Sequence, residues 1–99
     1  MVKGRDEVMK MIQANRDGIR RFGVRRLGVF GSAARGTAGP ESDLDFLVEF
    51  EQKSFDAYME LKAYLEDLFG SRIDLVLADS IKPRLKEKLL QETVYAPGF

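Results

Sequence analysis

Apolar and polar residues alternate most clearly over positions 43–50, which predicts a β-strand with one buried face. The predicted core face is apolar throughout: Leu44, Phe46, Val48 and Phe50. The opposite face carries Asp43, Asp45, Leu47 and Glu49. We expect this second face to be largely open, and its register to be well fixed, because a slip of one residue would bury both aspartates.

One further strand is predicted before this one in the sequence, and another is predicted after it. Val24–Phe30 is the first, although its basic residues and a glycine blur the alternation. Positions 72–78 form the third, and there Asp74 falls on the face opposite the apolar residues Ile73, Leu75 and Leu77. If the third strand lies next to the second, Asp74 can join Asp43 and Asp45.

Apolar residues recur at helical spacing in three other segments. Positions 5–22 predict one helix, and positions 54–69 predict another that Ser54 caps and Gly70 ends. A last helix is expected from about position 79 to Val94, with Pro83 tolerated in its first turn. With a short helix at Gly31-Ser32, the order is α-β-α-β-α-β-α. This order predicts an α+β fold, a two-layer α/β sandwich with a mixed sheet and helices packed on one face.

Length and composition exclude several classes of protein and of functional site. Ninety-nine residues predict a single domain over positions 1–99. Neither Cys nor His occurs, which excludes disulfides, thiol nucleophiles, Ser-His triads and the usual zinc sites. The 16 Lys and Arg balance the 16 Asp and Glu, so bulk charge gives no reason to expect direct nucleic-acid binding. No apolar run is long enough to cross a bilayer and no signal peptide is evident, so we expect a cytoplasmic protein.

The chemistry that remains is carried by positions 31–45. Asp43 and Asp45 project from one strand face, and two carboxylates this close repel unless a cation lies between them. Mg²⁺ suits such a pair, because it is usually held by one or two carboxylates plus substrate phosphates. The Gly31-Ser32 turn offers backbone N–H groups and a hydroxyl for a phosphate chain. The plainer alternatives are a solvent-facing aspartate pair and a Ser32 that only caps a helix.

These residues also fit a known pattern. Gly-Ser-x-x-Arg-Gly, a short loop and Ser-Asp-x-Asp-x-x-Val resemble the signature of the polymerase-beta-type nucleotidyltransferase superfamily, and within it the minimal nucleotidyltransferase family. The resemblance extends from about position 24 to 94, and its motif residues are Gly31, Ser32, Arg35, Gly36, Ser42, Asp43, Asp45 and Val48. Asp74 fits the place of the third acidic residue of that family.

The resemblance implies a nucleotidyltransferase fold and a transfer of AMP from ATP to a hydroxyl, with release of pyrophosphate. Asp43, Asp45 and Asp74 are then the catalytic and metal-binding residues, holding two Mg²⁺ ions once substrate is bound. Gly31 and Ser32 are the nucleotide-binding residues, together with Arg35. Arg35 can instead pair with a carboxylate to hold the short helix and the aspartate loop together, and we favour that role.

The same resemblance implies a protein partner. Minimal nucleotidyltransferases are similar to the antitoxins of two-component modules, whose partner is a HEPN-type toxin that is masked and adenylylated on a tyrosine. Two other functions stay open at this point. One is a non-catalytic module that masks a partner by contact alone. The other is a small-molecule nucleotidyltransferase acting on an aminoglycoside-like hydroxyl, which would need a homo-oligomer to complete the substrate site.

Overall fold

The computed structural model describes residues 4–35 and 43–99, with the side chains of Ser32 and Ala33 excepted. The described elements in chain order are α1 Arg5–Ala14, α2 Arg16–Arg20, β1 Val24–Phe30, α3 Gly31–Arg35, β2 Leu44–Phe50, α4 Phe55–Phe69, β3 Ile73–Leu77, a 3₁₀ turn Ala78–Ser80, α5 Pro83–Glu92 and β4 Val94–Tyr95. Within these residues, no helix has the length and apolar character that crossing a bilayer requires.

The strands form one mixed sheet in the order β3-β2-β1-β4. β2 is antiparallel to β1 and parallel to β3, and β4 is antiparallel to β1. The predicted α+β fold with a mixed sheet is therefore confirmed. Because β2 lies between β1 and β3, the residues on its polar face have neighbours on both sides.

The main core lies between one sheet face and the helices α1, α2 and α4. Phe46 in β2 is completely buried there, and its ring lies 5.5 Å from the ring of Phe69 at the end of α4. Helices and strands contribute other buried residues to the same cluster, among them Val8, Ile12, Ile19, Leu27, Val29, Leu44, Val48, Leu61, Leu65 and Leu75. Burying one such side chain stabilises the fold by about 1.5–3 kcal/mol, so this layer fixes the sheet.

Two helix boundaries differ from the prediction. The helix expected over positions 5–22 is interrupted at Asn15, whose side-chain amide donates to the carbonyl of Met11 at 2.8 Å. Such local side-chain bonds compete with continuous helix, which explains the break. The last helix ends at Glu92, and Val94 instead belongs to β4, where it pairs with Val29. Because Val94 and Val29 are 65 positions apart, the local hydrophobic periodicity could not predict this strand pairing.

The second sheet face is less open than predicted. Asp45 is only partly buried, but Leu47 on the same face is 1% exposed. Gly28, its partner on β1, lets the chain around Thr93 come close, since a Cβ there would lie 2.7 Å from the Thr93 methyl group. The face is therefore covered in its middle, while its aspartate end stays accessible.

Candidate active site

A pair of carboxylates stands at the centre of the site. Asp45 on β2 is the direct register partner of Asp74 on the parallel strand β3, so both side chains project from the same sheet face. The strand order brings these two predicted residues together across 29 positions of sequence.

The electrostatics of this pair suit a cation. Burial raises the pKa of Asp45 above its ordinary value, and the charges of Asp74 and Asp43 raise it further, while the guanidinium of Arg35 works in the opposite direction. Like charges that raise a carboxyl pKa are stabilised when a cation binds between them. Oxygen ligands from one or two carboxylates are what Mg²⁺ ordinarily takes from a protein. The Asp45–Asp74 pair therefore fits the metal that the sequence predicts.

Asp43 lies apart from this pair. Its side chain is exposed, and its Oδ1 lies 3.3 Å from Nε of Arg72, the residue before β3. Within residues 4–35 and 43–99, no three acidic side chains are close enough together to hold one metal ion. Because both partners of the ion pair are half or more exposed, the pair is worth at most about 1 kcal/mol. Asp43 can therefore leave Arg72 at little cost when a cation binds.

Gly31 connects the turn that the sequence predicts to bind phosphate with the carboxylate of Asp45. Its φ is 66°, a left-handed conformation that favours glycine, and it begins α3 directly after β1. A Cβ at this position would overlap Oδ2 of Asp45, so a glycine is needed for this close approach. The turn and the Asp45 carboxylate are thus in direct contact.

A carboxylate from α5 contacts the hydrogen-bond donors at this turn and at the end of α3. Oε1 of Glu92 accepts a hydrogen bond from the N–H of Gly31 at 3.0 Å, and it lies 3.8 Å from Nη1 of Arg35. The two donors thus already hold an anionic oxygen, as a phosphate group would require. Arg35 thus pairs with a carboxylate, as its structural role predicts. That carboxylate belongs to Glu92 of α5, however, and not to the aspartate loop. Gly36 and Ser42 and the side chain of Ser32 lie outside the described residues.

Sequence reasoning missed Arg72 and Glu92. Arg72 directly precedes a predicted strand, and its position two residues from Asp74 on the same face was a usable signal. Glu92 is 61 positions from Gly31 and sits in a helix rich in charged residues, so its sequence context gave no signal.

Comparison with known proteins identifies the family of the chain. The profile described as a nucleotidyltransferase domain matches residues 10–96. The protein adenylyltransferase MntA of Thermococcus cleftensis is 45% identical over 92 residues, which cover 91% of this chain and 93% of that protein. A solved structure described as a minimal nucleotidyltransferase superposes with a TM-score of 0.74 at 40% identity, covering 87% of this chain and 93% of its own.

A more distant structure shares the fold. The complex of a tri-AMPylated Shewanella oneidensis HEPN toxin with its MNT antitoxin contains a chain that superposes with a TM-score of 0.59 at 20% identity, covering 96% of this chain and 70% of its own. The fold, the sequence profile and the 45% identical relative agree with the resemblance seen in the motif. The chain belongs to the nucleotidyltransferase domain family and resembles its minimal members.

Proposed function

We propose that this enzyme transfers AMP from ATP to a tyrosine hydroxyl of a HEPN-type toxin and so acts as its antitoxin. The observation that carries this proposal is the pairing of Asp45 with Asp74 across two strands, with Asp45 in contact range of the Gly31 turn. The relative from Thermococcus cleftensis is named a protein adenylyltransferase, and it matches almost end to end. The structural neighbour from Shewanella oneidensis is an antitoxin in complex with an AMPylated HEPN toxin.

In this mechanism the Gly31 N–H, Ser32 and Arg35 hold the phosphates of ATP after Glu92 has been displaced. Asp43, Asp45 and Asp74 would hold Mg²⁺, which would neutralise charge on the leaving pyrophosphate and lower the pKa of the acceptor hydroxyl. The acceptor oxygen attacks the α-phosphorus while the bond to the bridging oxygen breaks. Asp74, whose side chain is exposed on the open end of the face, accepts the proton.

The test is transfer of label from α-labelled ATP, in the presence of Mg²⁺, to a purified HEPN-type toxin protein. We expect AMP on one or more tyrosines of that protein. Asp45→Asn and Asp74→Asn should both reduce labelling to background with folding intact. Asp17→Asn is the matched control, because Asp17 is 88% exposed on α2 and outside the site, and it should label normally.

Two outcomes would favour the other functions. Equal neutralisation of the toxin by wild type and Asp45→Asn, without labelling, would indicate a module that masks its partner by contact. Labelling of a small hydroxyl compound in the absence of any partner would indicate a small-molecule nucleotidyltransferase.

A further inference from the structure

An apolar stripe on α5 is left incompletely covered. Every residue of α5 is partly or largely exposed, and Leu85 in its middle is 50% exposed. Leu85 and Leu89 are spaced four apart and therefore lie on one side of the helix, and Ile81 lies in the extended segment just before it. Together with Val76 of β3 they line a groove of about 430 Å³, which we call the α5 groove. Apolar surface of this kind, framed by polar residues, is typical of a binding site.

The α5 groove leads into the active site. Val76 lies two residues after Asp74 on the same face of β3, a separation of about 7 Å along a strand. At the other side, Glu92 both lines the groove and accepts the hydrogen bond from the Gly31 N–H. Whatever occupies the groove therefore lies beside the carboxylate pair and the phosphate-binding turn.

Charge limits what the groove can hold. Lys82 and Lys88 stand among its lining residues, and both are exposed. They outnumber Glu92, the acidic residue of the lining, whose carboxylate is already engaged by the Gly31 N–H and lies near Arg35. The two ammonium groups therefore favour a ligand that carries carboxylates beside its apolar residues. Since β3 is an edge strand, a long segment can reach the groove without displacing a neighbouring strand.

We propose that the α5 groove binds the acceptor protein through a segment with apolar residues flanked by Asp or Glu, which places the acceptor hydroxyl next to Asp74. This inference rests on the proposed function, in which the acceptor is a protein. A second copy of this chain is a less suitable occupant, because it would lie across the approach to Asp74 and exclude the acceptor.

The first experiment compares Leu85→Glu with Met59→Glu. Met59 is 45% exposed on α4, in the helix layer on the other side of the sheet, so it matches Leu85 in exposure and in the change made. We expect Leu85→Glu to weaken binding of the HEPN-type partner, measured by calorimetry, and to raise the KM for its labelling, each by about tenfold or more. ATP affinity and kcat at saturating partner should stay at the wild-type value, and Met59→Glu should behave as wild type.

A second variant keeps the test valid if Leu85→Glu lowers thermal stability. Lys88→Glu changes an exposed rim residue, and Lys10→Glu on α1 is its control. We expect Lys88→Glu to slow partner association and to reduce the salt dependence of binding, because rim charges act mainly on the association rate. Unchanged association kinetics in Lys88→Glu would contradict the charge argument.

The outcomes separate the two proposals. Normal partner binding and labelling by Leu85→Glu, with labelling lost in Asp45→Asn, overturns the groove assignment and leaves the proposed function standing. Absence of labelling by wild type overturns the proposed function, and the calorimetric comparison of Leu85→Glu with Met59→Glu still decides the groove. A wild-type dimer in sedimentation that Leu85→Glu dissociates, with partner binding unchanged, would identify a second copy as the occupant and overturn the assignment.

Discussion

Replacing Gly31 by alanine should separate the stability of this fold from the geometry of its active site. Gly31 has a φ of 66°, and a Cβ there would overlap Oδ2 of Asp45. Gly70, which ends α4, has a φ of 61°, and no described atom lies within 4 Å of a Cβ built on it. Gly31→Ala and Gly70→Ala therefore impose the same backbone strain, but Gly31→Ala also displaces the carboxylate of Asp45, which is proposed to be catalytic.

The strain has a predictable size. A left-handed backbone costs an alanine about 1–2 kcal/mol relative to glycine. For a domain of this size, each kcal/mol lowers Tm by about 4–8 °C, so both variants should lose roughly 4–16 °C. The overlap at Gly31 adds little to this loss, because the Asp45 side chain can rotate away. That rotation removes the carboxylate from Asp74, so AMP transfer should fall to background.

The assay pairs a thermal melt with labelling from α-labelled ATP, performed well below both midpoints. We expect similar Tm losses in the two variants, near-wild-type labelling by Gly70→Ala, and none above background by Gly31→Ala. Wild-type labelling by Gly31→Ala, at the expected Tm, would show that the position of Asp45 beside the turn does not matter for transfer.

Two further predictions concern charge. Because the pKa of Asp45 is raised in the folded state, the folded protein loses stability as pH rises from about 3.8, the ordinary carboxyl value, through the raised value. Without Mg²⁺, Asp45→Asn should therefore melt higher than wild type at pH 7, with the difference vanishing below that range. A lower Tm for Asp45→Asn at pH 7 would contradict the electrostatic account. Glu92→Gln should tighten ATP binding about threefold to tenfold, because a neutral amide competes less well than a carboxylate for the Gly31 N–H. Titration of a fluorescent ATP analogue measures this, with Glu87→Gln on the exposed side of α5 as the control, and equal affinities would refute it.

Short-range features of the fold follow from the sequence. Ser54 caps α4 by accepting a hydrogen bond from the N–H of Ala57 at 3.0 Å, and Gly70 ends the helix in a left-handed conformation. The alternation in β2 likewise sets Phe46 in the core and Asp45 on the opposite face. Each of these outcomes depends on residues within one turn or one strand, which is why local patterns predict them.

Which residues come together in the site depends on the pairing of the strands as well as on the local sequence pattern. Period-two spacing placed Asp74 on a face opposite the core, but only the parallel pairing of β2 and β3 decides that Asp45 is its neighbour. The ion pair of Asp43 with Arg72 likewise requires the start of β3 to lie beside the residue that precedes β2. The sequence therefore predicted the strand faces of the acidic residues, but not the partners that these residues contact.

What the amino-acid sequence determined by itself is the first three strands, both ends of α4 and the strand faces of the acidic residues, because these follow from interactions between residues a few positions apart. The tertiary structure alone decided that Glu92 reaches Gly31, that Val94 adds a fourth strand and that α5 leaves a groove beside Asp74. Contacts across 61 or more positions depend on how all layers pack at once, and no short stretch of sequence specifies that.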